Sequence, residues 1–243
     1  GSGTGETLDI FAPHVPGRLP APVLVFIHGG YWRALDKSEH SFLAPAFTRE
    51  GVCVVMVNYA LCPGTPQAPV TVPQIVRQVE RALGWVWGNI ERHGGDPGRI
   101  TVAGHSAGGQ LAAMLLTSVW PLLGDGWPDG LVRNALSISG IHDLEPIMHT
   151  PFLQSVLHLT GRHVLQAGPA RLQAPSQGIV YSAVGGDESA EFLRQARLLQ
   201  DAWGSRAVPR HQVLAGLNHF SILDARAQPG HDLHHMALSL LRA

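Results

Sequence analysis

The sequence predicts an α/β fold, a mostly parallel central sheet with helices on both faces. Three observations carry this expectation. Short runs rich in Val and Ile alternate with stretches of helical periodicity, the order expected when crossover helices cover parallel strands. One of those runs leads directly into Gly104-His105-Ser106-Ala107-Gly108 and then into a helical stretch, the layout of a strand, a tight turn and a helix. The chain's 243 residues are enough to bury a sizeable apolar core.

Strands are expected at residues 8–11, 23–27, 53–57, 100–103, 135–139, 179–184 and 211–214. Helices are expected at 39–50, 72 to about 93, 108–120, 190–203 and 234–241. Pro121 closes the third of these. In the fourth, Phe192, Ala196, Leu199 and Trp203 recur every three to four residues and form a stripe for the sheet. The stretch 141–178 carries a helical patch near 152–159 and then Gly168, Pro169 and Pro175, so it is expected to act as a lid or pocket segment. Neither a repeat nor a low-complexity linker interrupts the chain, and residues 1–243 are read as one domain.

Composition narrows the function. A formal net charge of -1 with 14% charged residues supplies no basic field for a phosphate backbone, which argues against nucleic acid. No apolar run approaches the roughly 20 residues of a membrane span. Two cysteines, Cys53 and Cys62, are too few for a disulfide framework, so a reduced, cytoplasmic protein is expected. The cluster His231, Asp232, His234 and His235 has zinc-ligand chemistry, but neighbouring side chains on a helix diverge, and neither metal nor cofactor is expected.

The pentapeptide around Ser106 supplies the candidate nucleophile. A serine hydroxyl needs a base within hydrogen-bond reach and a third group to orient that base. His219, in a loop just after the last expected strand, is the candidate base. The acid should follow the penultimate strand, where Asp187 and Glu188 compete. Glu188 lies three residues after Gly185, the spacing favoured in hydrolases of this type, with Asp187 as the alternative and Asp143 behind both. An oxyanion formed at Ser106 needs backbone N–H donors, and Gly29, Gly30 and Ala107 are placed to supply them. Tyr31 and Trp32 follow the glycines as candidate walls of a substrate pocket, and Arg33 is a nearby cation for an acidic substrate group.

Five stretches share a common pattern: His28-Gly29-Gly30-Tyr31-Trp32, Asn58 to Pro63, Gly104 to Gly109, Ser139 to Pro146, and Glu188 to Gln195. Together they resemble the arylformamidases (kynurenine formamidases) of the α/β-hydrolase superfamily, from about residue 8 to the end. The resemblance implies an α/β-hydrolase fold, Glu188 as the acid, and cleavage of N-formyl-kynurenine to kynurenine and formate. Two departures accompany it. The family's helical stretch before the first strand is not seen, and residues 64–70 read as an insertion that would reshape the pocket entrance. The expected partner is therefore a small-molecule formamide or ester, and a homodimer is compatible with these readings. A carboxylesterase for short acyl chains is the alternative within enzymes, followed by a metal-dependent amidase. A non-catalytic ligand receptor on the same fold is the alternative from another class.

Overall fold

A computed structural model describes residue 3, residues 5–14 and residues 20–243. The strands are β1 (Leu8–Phe11), β2 (Ala21–Ile27), β3 (Cys53–Val57), β4 (Gly64–Thr65), β5 (Ala68–Pro69), β6 (Gly95–His105), β7 (Asn134–Ile138), β8 (Ile179–Gly185) and β9 (Arg210–Leu214). Seven of them form one sheet in the order β1-β3-β2-β6-β7-β8-β9, parallel throughout except for β1, which runs antiparallel to β3 at the edge. The helices are α1 (Ala44–Thr48), α2 (Val72–Asn89), α3 (Ala107–Thr117), α4 (Glu145–Met148), α5 (Pro151–Leu157), α6 (Gly161–Ala167), α7 (Ala190–Ala207), α8 (Ser221–Ala227) and α9 (Asp232–Arg242). The expected mostly parallel α/β fold is the observed one.

The pleat of β2 sorts its side chains between two cores. Val23, Val25 and Ile27 join the core beneath α2, α3 and α7, where Ile75, Val79, Leu83, Leu111, Leu115 and Leu199 pack. Leu24 and Phe26 point the other way, toward Phe47 of α1, Ile222 of α8 and Leu233, Met236 and Leu240 of α9. Both faces are therefore covered, which is why β2 and β3 tolerate nearly unbroken apolar sequence.

Several boundaries differ from expectation for local reasons. The stretch read as one helix over 39–50 is a 3-10 turn, Lys37–Leu43, followed by α1 with Pro45 in its first turn. The helix begun at Val72 stops at Asn89, and a 3-10 turn carries the chain to Gly94 in a left-handed conformation. Helix α3 ends at Thr117, before the 3-10 turn at Trp120. Residues 64–70 form the exposed β4–β5 hairpin. The 141–178 stretch holds three short helices, α4 to α6, where one was expected. No described helix is long and apolar enough to cross a membrane.

Candidate active site

Ser106 sits between β6 and α3 with φ 56 and ψ -118, a conformation that an L-residue holds only when its surroundings impose it. Those surroundings are backbone. A Cβ on Gly104 would lie 2.0 Å from the Gly108 carbonyl oxygen, and one on Gly108 would lie 2.1 Å from the oxygen of Ile27. Both positions therefore need glycine, and the turn lifts Ser106 out of the strand at the carboxyl edge of the sheet. The serine is nearly buried, and its hydroxyl makes no hydrogen bond to protein among the described residues.

The last two strands bring an acid and a histidine together. His219 Nδ1 lies 2.6 Å from Glu188 Oε2, so Nδ1–H donates and the imidazole is left with Nε2 free to accept a proton. Glu188 Oε1 accepts from the Gly185 N–H at 2.8 Å and from the Ser139 hydroxyl at 2.5 Å. Burial opposes ionisation of this carboxyl, but hydrogen bonds from His219, Ser139 and Gly185 outweigh it and hold the carboxyl below its usual range. Of the two competing acids, Asp187 is exposed and the histidine partner is Glu188. Asp143 is occupied elsewhere, in an ion pair with Arg171 at 3.1 Å.

His105 ties this pair to the serine's own turn. Its Nε2 donates to the His219 carbonyl at 2.8 Å, and the two rings lie 4.5 Å apart between centroids. Burial, with His219 adding to it, pushes the His105 imidazole far down, so it stays a neutral donor. Phe192 lies tilted against the His219 ring at 4.2 Å between centroids, and Phe220 meets it edge-on at 5.7 Å. Phe192 was expected only as part of the core stripe of α7. It is partly buried at the amino-terminal end of α7, the end next to the Glu188 loop, where it reaches the histidine.

Beyond β2 the chain turns past the serine. A Cβ on Gly29 would lie 2.9 Å from the His105 carbonyl oxygen and 3.1 Å from the Ser106 Cβ, so glycine lets this backbone come so close. The Tyr59 hydroxyl reaches the carbonyls of His28 at 3.0 Å and Gly29 at 2.9 Å, and the Tyr59 and His28 rings stack at 4.3 Å. With those carbonyls held by Tyr59, the N–H groups of Gly29, Gly30 and Ala107 donate to no acceptor among the described residues.

The two pocket candidates separate. Tyr31 is partly buried against the core. Trp32 is fully buried, its Nε1–H donating to Gln110 Oε1 at 3.0 Å while Gln110 holds the Ala167 carbonyl at 2.7 Å. Trp32 is therefore an anchor between the loop, α3 and α6 and offers no surface to a substrate. Arg33 is exposed and reaches the Phe152 carbonyl at 3.5 Å. The carboxyl-terminal cluster disperses: His231 caps α9, Asp232 accepts from Gln212, and His234 donates to the Arg226 carbonyl. Among the described residues no group of three or more His, Cys, Asp or Glu could hold a metal ion.

The doubly covered sheet, the strained serine between β6 and α3, and the Glu188–His219 pair after β8 and β9 define an α/β-hydrolase. Comparison with known proteins agrees. Residues 8–120 match the BD-FAE family model. A kynurenine formamidase of Danio rerio is 30% identical over 99% of this chain and 80% of its own. The chain belongs to the kynurenine formamidase family and is a hydrolase. A crystal structure of a candidate thioesterase from Silicibacter sp. aligns with TM-score 0.82 and 31% identity over 100% of this chain and 83% of its own. Esterase LipC of Mycobacterium tuberculosis is 26% identical over 99% of this chain and 63% of its own.

Proposed function

We propose that this hydrolase cleaves small aryl formamides, N-formyl-kynurenine foremost, to the arylamine and formate. The observation that carries the reading is the Glu188–His219 pair, tied through His105 to the Ser106 turn against which Gly29 packs. His219 Nε2 takes the Ser106 proton as Oγ bonds to the formyl carbon. The carbonyl oxygen becomes an oxyanion facing the N–H groups of Gly29, Gly30 and Ala107. His219 then gives the proton to the departing aryl nitrogen, leaving a formyl ester on Ser106. Water, deprotonated by His219, attacks that ester; formate leaves and Oγ regains its proton. Glu188 holds the imidazole tautomer and offsets its charge.

A formyl group suits this site because it brings only hydrogen beyond the carbonyl, and Gly29 packs tightly against the serine. Tyr31 and Phe220 are the aromatic surfaces for the leaving amine. Residues 1–243 would then work as one domain, with 141–178 covering the pocket. Two free, buried cysteines fit a reducing, cytoplasmic setting.

The esterase relatives favour a second reading, a short-chain carboxylesterase built on the same residues. Comparing kcat/KM for N-formyl-kynurenine, p-nitrophenyl acetate and p-nitrophenyl butyrate separates the two, and a preference for butyrate sinks the formamidase reading. Ser106→Ala is expected to lower kcat on the order of 10⁴-fold or more and to abolish fluorophosphonate labelling. Full activity in that variant would overturn both readings.

A further inference from the structure

We infer that Ser139 is a positioning residue: its hydroxyl fixes the orientation in which the Glu188 carboxylate meets His219. This inference rests on the roles proposed above for Glu188 and His219.

Ser139 is the first residue past β7, next to the end of β8, where the Glu188 loop begins. Its N–H donates to the Ala183 carbonyl at 2.7 Å, so its backbone is pinned to the neighbouring strand. The side chain is fully buried, and Oγ donates to Glu188 Oε1 at 2.5 Å. The Gly185 N–H donates to the same oxygen at 2.8 Å. Donors from the ends of two adjacent strands thus hold Oε1, and Oε2 is left for His219 Nδ1. A carboxylate turns readily about its last bond, so two donors converging on one oxygen fix the plane in which the other oxygen meets His219.

The backbone argues against a plain turn residue. Ser139 has φ 50, in the left-handed region where glycine and asparagine are at ease and serine is not. A turn alone would be better served by glycine. What serine adds at this position is the hydroxyl, and it spends its one donor on Glu188. Consistent with this, the Ser139 hydrogen bond is among the causes that hold the Glu188 carboxyl below its usual range.

Two variants separate the hydroxyl from the backbone. Ser139→Gly removes the donor and relieves the strained φ, while Ser139→Ala removes the donor and keeps it. If the hydroxyl positions the acid, both variants lose about tenfold in kcat, the effect of one charge-assisted hydrogen bond, with KM changed less than about twofold. Both also move the acid limb of the kcat/KM profile to higher pH, because the carboxylate has lost a donor that favours its charged form. Thermal melting should place Ser139→Ala below Ser139→Gly, since both variants lose the donor and only glycine relieves the positive φ. If Ser139→Gly keeps the parent kcat and acid limb, the inference is overturned while the proposed triad stands, provided Ser106→Ala is inactive. If Ser106→Ala retains activity, the underlying reading and this inference fall together.

Discussion

Tyr59 has one phenolic proton and two carbonyls within its reach, His28 O and Gly29 O, in a site where water is excluded. Burial keeps the phenol protonated by pushing its pKa up, so it remains a donor throughout the working range. Tyr59→Phe would preserve the ring stack on His28, leave the His28 carbonyl without its donor at a cost of about 1–3 kcal/mol, and leave the Gly29 carbonyl held only by His28 Nδ1–H at 2.9 Å. The loop that offers its free N–H groups beside Ser106 would then be free to turn its carbonyls inward. We expect a kcat loss on the order of 10-fold to 100-fold, exceeding any change in KM, together with a lower melting temperature. Unchanged kcat would show that the loop is held by its other contacts, chiefly Trp32 on Gln110. At this scale the sequence was legible where chain order constrains chemistry: Ser106, the acid loop and His219 follow one another after successive strands. It was silent on partners. Spacing after Gly185 favours Glu188 over the adjacent Asp187, but its contacts with Ser139, Gly185 and His219 are visible only in the structure. Trp32, expected as a pocket wall, is an anchor because Gln110, 78 residues away, takes its indole N–H.

Helix α3 reaches its place by pressing its first turn directly on the end of β2. The Cβ that Gly108 lacks would fall 2.1 Å from the Ile27 oxygen and 2.6 Å from that of His28. Helix propensity alone favours Gly108→Ala by about 1 kcal/mol. Here the opposing contact is backbone on both sides, and overpacking of that kind costs about 1–3 kcal/mol or more. The packing effect should win. Gly108→Ala is expected to lower stability in urea and to reduce kcat strongly, because separating α3 from β2 moves Ser106 away from Gly29. A variant at least as stable as the parent, with parent activity, would contradict this. Elements with long apolar runs or long helical stripes were readable because burial on two faces or one leaves a periodic record. Elements α6 and α8, seven residues each, and the two-residue strands of the hairpin are too short to leave one. The break between the 3-10 turn and α1 depended on Pro45 and on the capping of Asp36, not on hydrophobic pattern. Arg226 of α8 is fully buried over the rings of Phe26 and Phe47, a place that periodicity does not mark for a cation.

The molecule as a whole buries several histidines in neutral form, and this ties its stability to pH. Burial lowers His28 to about 4 and His142 to about 3, and His105 also lies well below the ordinary value. In the unfolded chain each titrates near about 6.5. Below that pH the unfolded state binds protons that the folded state refuses, so the unfolded state is favoured as pH falls. Stability from these groups is fully present above about pH 6.5 and is lost progressively as pH drops toward their folded values. Each group costs about 1.4 kcal/mol per pH unit, and the three together about 4 kcal/mol. A typical domain has about 5–15 kcal/mol to lose, so acid unfolding is expected to set in near about pH 5. Glu188, held low by its donors, adds the same sign only below the ordinary carboxylate range, as pH falls through its folded value. Urea midpoints measured from pH 7 to pH 4 should therefore fall steeply, beginning above the range in which carboxylates titrate. His142→Gln should flatten the curve, since His142 is fully buried and shares only the Ser137 hydroxyl at 3.1 Å. A midpoint constant down to pH 4.5 would mean that these imidazoles take up protons in place, and the neutral His105 link between the serine turn and the His219 loop would lose its basis.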